Sequence, residues 1–251
     1  MQTTVTAVDQ IPPLTHEEAM GLARTEYENL TAIVDQLRPQ DWASPTGCTG
    51  WDVTAVLAHV LGMLEGNADP AEAGRQAEAA GRRAATSGEA WIDALTALQV
   101  TEHAQLTRGQ LAEAVRGTAP RSLAARAQSS PEQRAEVFHP GPPFDEEWTY
   151  GYLIDVIHTR DPWMHRIDIC RAIGAEPVLS AEHDGRIVAG VVAEWVRRHG
   201  RPCTLVLTGP AGGSYSHGTA GPHLELDAVR FCRMLSGRGS GDGLLAQQVP
   251  F

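Results

Sequence analysis

The stretch Tyr150–Gly174, YGYLIDVIHTRDPWMHRIDICRAIG, constrains the fold of this chain more than any other segment. His158, Asp161, His165 and Asp168 fall at i, i+3, i+7 and i+10. At 3.6 residues per turn these four occupy roughly 80° of arc, which is one helix face. Asp155 stands one turn before His158, at the edge of that face. Leu153, Val156, Ile157, Trp163, Met164, Ile167, Ile169 and Ile173 fill the rest of the circumference. Charges are costly to bury unless they are paired or bind a metal, so this ionisable stripe requires a partner.

Asp161 and His165 are four residues apart and project to the same side of the helix. A carboxylate and an imidazole so placed can reach one cation. Zinc takes such ligands, and a catalytic zinc usually has three protein ligands plus water. The same spacing also suits a helix-surface ion pair, and short D-x-x-x-H matches are common. Pro162 breaks the local rule. It removes a backbone donor and clashes with the carbonyl of His158, four residues back. Either the helix continues with a kink near Asp161, or Asp161 caps a new helix with Pro162 at its first position.

The chain has 251 residues, 42 % of them hydrophobic, enough for one large domain or two small ones. Its formal charge of -11 argues against nonspecific nucleic-acid binding. No apolar run is long enough to span a membrane, and the N-terminus lacks the basic and apolar pattern of a secretion signal. Cys48, Cys170, Cys203 and Cys232 form no C-x-x-C motif. The expectation is a cytoplasmic protein with reduced, buried thiols.

Residues 1–14 read as a flexible arm. A first helix is expected from Thr15 to about Leu37, and a second from Trp51 to about Glu65 with His59 inside its apolar run. On the helix pattern alone, a lone histidine there is more often a hydrogen-bonded core residue than a ligand. Residues 67–88 read as a mobile connection with some helix. A third helix is expected over Glu89–Arg116, and loop with short helical pieces over 117–147. After Gly174 the order becomes helix, three short strands and a last helix, a small α+β unit. The expected organisation is an arm at 1–14, a helical domain at 15–174 and an α+β domain at 175–251. The glycine-rich GRGSGDG lacks the Lys-Ser/Thr ending of a P-loop and reads as a loop.

Trp51-Asp-Val-Thr-Ala-Val-Leu-Ala-His59 and Arg160-Asp161-Pro-Trp-Met-His165-Arg-Ile-Asp168-Ile resemble two segments of the mycothiol-dependent maleylpyruvate isomerase family. The C-terminal LELDAVRFCRMLSGR is similar to that family's second domain. The resemblance runs from about residue 15 to 251. It implies a mainly α fold: a DinB-like four-helix bundle with a metal between its helices, then a small sterol-carrier-like α+β domain. It maps three metal ligands onto His59, Asp161 and His165, where many members carry Glu in place of Asp161. It also implies a divalent metal, zinc foremost, and mycothiol or another low-molecular-weight thiol acting on a small electrophilic substrate.

Asp168 has two roles open: a hydrogen bond to a ligand histidine, or the expected pair with Arg166 or Arg171. His158 is expected to make a core hydrogen bond. Arg238 is the candidate for gripping a substrate carboxylate, since its fork pairs bidentately; an ordinary surface arginine is the alternative. The expected function is thiol-dependent cis-trans isomerisation or thiol S-transfer, with the small domain closing over the substrate. The competing class is a metal-stabilised ligand-binding or regulatory module.

Overall fold

The computed structural model describes residues 4–144 and 146–251. The chain divides into two compact units: His16–Pro177, and Val178–Phe251 with the described residues up to Thr15. The first unit is helical and the second combines helices with a small mixed sheet, so the protein is mainly α. Among the described residues no helix is long and apolar enough to cross a membrane.

In the helical unit, α1 spans His16–Gln36, α2 Val53–Ala68, α3 Pro70–Ser87, α4 Trp91–His103 and α5 Arg108–Ala127. The short α6, Pro131–Ala135, leads to a two-residue hairpin of β2, Val137–Phe138, and β3, Trp148–Thr149. One turn, α7 (Tyr150–Tyr152), runs into a π-helical turn at Leu153–Ile157 and then α8, His158–Ile173. Helix α2 is apolar nearly all round, which suits a central element. It packs on α5, α4, α3 and α8, and α1 packs on α5 and α8. Leu30, Leu57, Leu61, Leu64, Leu111 and Ile169 meet in the core. Each such side chain contributes about 1.5–3 kcal/mol by leaving water.

Two expectations change here. The residues read as a mobile connection form α3, because Asp69 accepts from the Ala71 N–H, Pro70 occupies the first turn and Gly88 closes the helix at φ 75°. The long third helix is two helices. Thr107 and Gln110 form a reciprocal capping box that starts α5, which then runs through Pro120 into residues expected to be loop.

In the second unit, α9 spans Asp184–His199, β4 Cys203–Thr208, β5 Gly213–His217, β6 His223–Asp227 and α10 Ala228–Leu235. Strand order is β1-β5-β4-β6, with β4 antiparallel to β5 and parallel to β6. Strand β1 is Val5–Ala7, paired parallel to β5 with Thr6 opposite Tyr215. This corrects the expectation of a flexible N-terminal arm. A three-residue strand carries too little periodicity to be seen in sequence, and its backbone is satisfied by a partner over 200 residues away.

Candidate metal centre

Helix α8 solves the problem that Pro162 creates in an unexpected way. The helix runs through the proline without a new cap, and the irregularity lies earlier, in the π turn. Pro162 leaves the His158 carbonyl without its usual donor. Arg126, buried on α5, supplies it: its Nη1 donates to the His158 carbonyl at 3.1 Å and to the Tyr27 hydroxyl at 2.6 Å. Its Nη2 donates to the Ile154 carbonyl and to Thr159 Oγ1. One guanidinium thus serves both the π turn and the proline gap. Such irregularities in helices gather at functional sites.

The turn of helix that follows carries Asp161 and His165. Asp161 Oδ1 lies 3.4 Å from His165 Nε2 and 3.2 Å from His59 Nε2, contributed by α2. The three donor atoms all fall within 4.8 Å of one another. Both imidazoles crowd one carboxylate oxygen, while Asp161 Oδ2 is buried without a hydrogen-bond partner. A buried carboxylate oxygen ordinarily has a hydrogen-bond partner, so Oδ2 is an acceptor that the protein leaves unused. Ligands on a tetrahedral zinc with bonds of about 2.0–2.1 Å stand roughly 3.3 Å apart, which matches the distances from Asp161 Oδ1 to the two histidine nitrogens. The donor set of two nitrogens and one oxygen therefore fits a divalent metal such as zinc.

Electrostatics separate the groups on the stripe. Burial pushes the Asp161 carboxyl up, but the charges and hydrogen bonds of His59 and His165 outweigh it and hold it well below the usual range. Burial pushes His165 down, and Asp161 with Asp168 and Cys48 raises it well above an ordinary histidine. His158, expected as a core hydrogen-bonding residue, points its Nδ1 at Asn67 Oδ1 at 2.7 Å. Asp168 stands beside a candidate ligand histidine. Its Oδ2 faces His165 Nδ1 at 3.4 Å, orienting that ring with Nε2 toward Asp161. Arg166 forms a buried pair with Glu26 at 2.8 Å.

Three contributors were not visible as site residues in the sequence. Cys48 Sγ donates to Asp168 Oδ2 at 3.5 Å and lies 3.9 Å from His165 Nδ1. The Trp51 ring lies 5.3 Å from the His59 ring and 6.3 Å from that of His165, covering both. A tight turn presents the two: Trp51 N–H donates to the Cys48 carbonyl at 3.0 Å, with Gly50 at φ 80°. Gln99, on α4, meets His59 Nδ1 at 2.7 Å. Arg238 belongs to the other unit, just after Gly237 beyond α10, where its N–H donates to the Arg233 carbonyl at 2.9 Å.

A helical unit that gathers a His–Asp–His donor set, joined to a small α/β unit, defines a candidate two-unit metalloprotein. Residues 23–170 match the mycothiol maleylpyruvate isomerase N-terminal domain, and the chain belongs to that family. Two solved structures of the mycothiol-dependent maleylpyruvate isomerase, one a histidine-to-alanine mutant, share the fold. The mutant aligns at 15% identity with a TM-score of 0.59, over 94% of this chain and 93% of its own. The other aligns at 16% identity with a TM-score of 0.58, over 95% and 94%. No curated protein matches the chain.

Proposed function

We propose that the protein is a metal- and thiol-dependent enzyme that isomerises a maleylpyruvate-like α,β-unsaturated diacid, with mycothiol as the thiol. The observation that carries this reading is the convergence of His59 Nε2, His165 Nε2 and the doubly used Asp161 Oδ1, with Oδ2 left without a protein partner. A divalent metal, most simply zinc, held there would lower the pKa of a bound thiol and make it a nucleophile at neutral pH. Three protein ligands would leave a position open, as in catalytic rather than structural zinc sites.

The chain's own residues do the rest. Asp161 neutralises part of the metal charge, and Asp168 keeps the His165 proton on Nδ1. Trp51 shields both imidazoles from water on one side. In the reaction class proposed, a bound thiol would supply reversible addition to the double bond, so that the resulting single bond could rotate and re-form as trans when the thiol leaves. Arg238 is the proposed partner of a substrate carboxylate. Retention of the thiol in the product would make the same site an S-transferase.

The test is incubation of zinc-loaded protein with mycothiol and a cis diacid, read by chromatography and mass spectrometry. The expected result is a trans product that requires both thiol and metal, with thiol unconsumed. Conversion that persists after chelation, or no thiol-dependent conversion of any unsaturated acid, overturns the reading.

A further inference from the structure

The ring of His59 is held from behind by two buried carboxamides, and their direction is forced. Gln76 Nε2 contacts the Gly62 carbonyl at 3.0 Å and Glu72 Oε1 at 2.9 Å. Both partners only accept, because Glu72 is itself paired with Arg75 at 2.6 Å. The amide of Gln76 therefore has one permitted orientation, with Oε1 away from Gly62. That oxygen receives a hydrogen bond from Gln99 Nε2 at 2.9 Å. Gln99 Oε1 is then the atom facing His59 Nδ1 at 2.7 Å, and an oxygen there requires a proton on Nδ1. His59, Gln76 and Gln99 are all buried, so water does not compete for these atoms.

A second observation points the same way. Gly62 lies on α2 three residues beyond His59, and Gln99 crosses directly over it. A Cβ added at Gly62 would stand 2.5 Å from Gln99 Cγ and 2.7 Å from Gln99 Cβ. Any larger residue displaces the side chain that contacts His59. Gly62 thus serves the relay twice, by its carbonyl and by its missing side chain.

We propose that Gln99, oriented by Gln76 and the Gly62 carbonyl, is a positioning residue that holds a proton of His59 on Nδ1 and so leaves Nε2, the nitrogen facing Asp161, as the one available to a metal. The proton on Nδ1 follows from the hydrogen bonds alone; its use rests on the metal reading above. A neutral histidine ligates through its unprotonated nitrogen, and the group holding the other nitrogen sets ring orientation and basicity. Without Gln99, His59 is free to place its proton on Nε2, toward Asp161, where it opposes a metal.

Two measurements test this. In metal-free ¹⁵N-labelled protein at mildly alkaline pH, long-range ¹H–¹⁵N correlation spectra report the tautomer of His59, assigned by its loss in His59→Phe. A proton on Nδ1 is expected, with or without a second on Nε2 donated to Asp161, and an Nε2–H form with Nδ1 bare overturns the proposal. Zinc affinity is then measured by competition with a chelating dye, alongside a melting curve for each variant. Gln99→Met and Gly62→Ala are expected to lower zinc affinity about 10–100-fold, the usual effect of losing a group behind a ligand histidine. Gln99→Glu keeps an acceptor on Nδ1 and is expected to bind more tightly than Gln99→Met. Wild-type affinity in a folded Gln99→Met, or equal losses in Gln99→Glu and Gln99→Met, overturns the proposal. A wild-type protein that binds no zinc removes the metal reading instead, and the tautomer still decides this one.

Discussion

His158 and His165 stand on one helix face and are driven in opposite directions. Burial, with repulsion from Arg126, pushes His158 down to about 3. Asp161 and Asp168 hold His165 well above the ordinary histidine range, against its burial. The consequences for stability have opposite signs. Below the ordinary histidine pKa of about 6.5 the unfolded chain protonates at position 158 and the folded chain does not. The contribution of His158 is therefore complete above that range and is lost as pH falls toward about 3. The loss reaches at most about 1.4 kcal/mol per pH unit. In the metal-free protein the contribution of His165 is complete below the ordinary range and fades as pH rises through its raised value. Urea unfolding of the metal-free protein at several pH values checks this. His158→Gln is expected to flatten the acid limb, and an acid limb as steep as that of the wild type contradicts the assignment.

At the scale of elements, Arg126 ties α5 to the π turn and to the first turn of α8. Arg126→Met is expected to leave two backbone carbonyls and two hydroxyls short of a donor, at about 1–3 kcal/mol for each group that stays buried and unpaired. A clear fall in the urea midpoint checks this, and an unchanged midpoint contradicts it. The proximity of Asp161 to His165 was legible in the sequence because both lie on one helix and the period alone sets their spacing. His59 entered the set only through resemblance, since no periodicity relates α2 to α8. Gln76 and Gln99 were invisible for a further reason. Gln76 sits in an Ala-rich stretch whose start is marked by Asp69 and Pro70 but whose buried face is small. The second, mixed unit was legible from its alternating strands, whereas β1 was too short and too far from its partner in sequence.

For the molecule as a whole, His59, Asp161 and His165 lie in the helical unit and Arg238 lies in the α/β unit. If Arg238 grips a substrate carboxylate, Arg238→Glu is expected to raise KM for the diacid and lower kcat/KM with zinc content unchanged; unaltered kinetics remove Arg238 from the site. The central claim is that three side chains of the helical unit hold one catalytic metal. The most direct measurement is zinc content by mass spectrometry of purified wild type and His165→Ala, each with a melting curve. Loss of His165 leaves two protein ligands, too few to hold a catalytic zinc well. The extensive apolar core keeps the unit folded. The account predicts about one zinc per wild-type chain and a folded, zinc-poor, inactive variant. Full zinc occupancy in His165→Ala would contradict it.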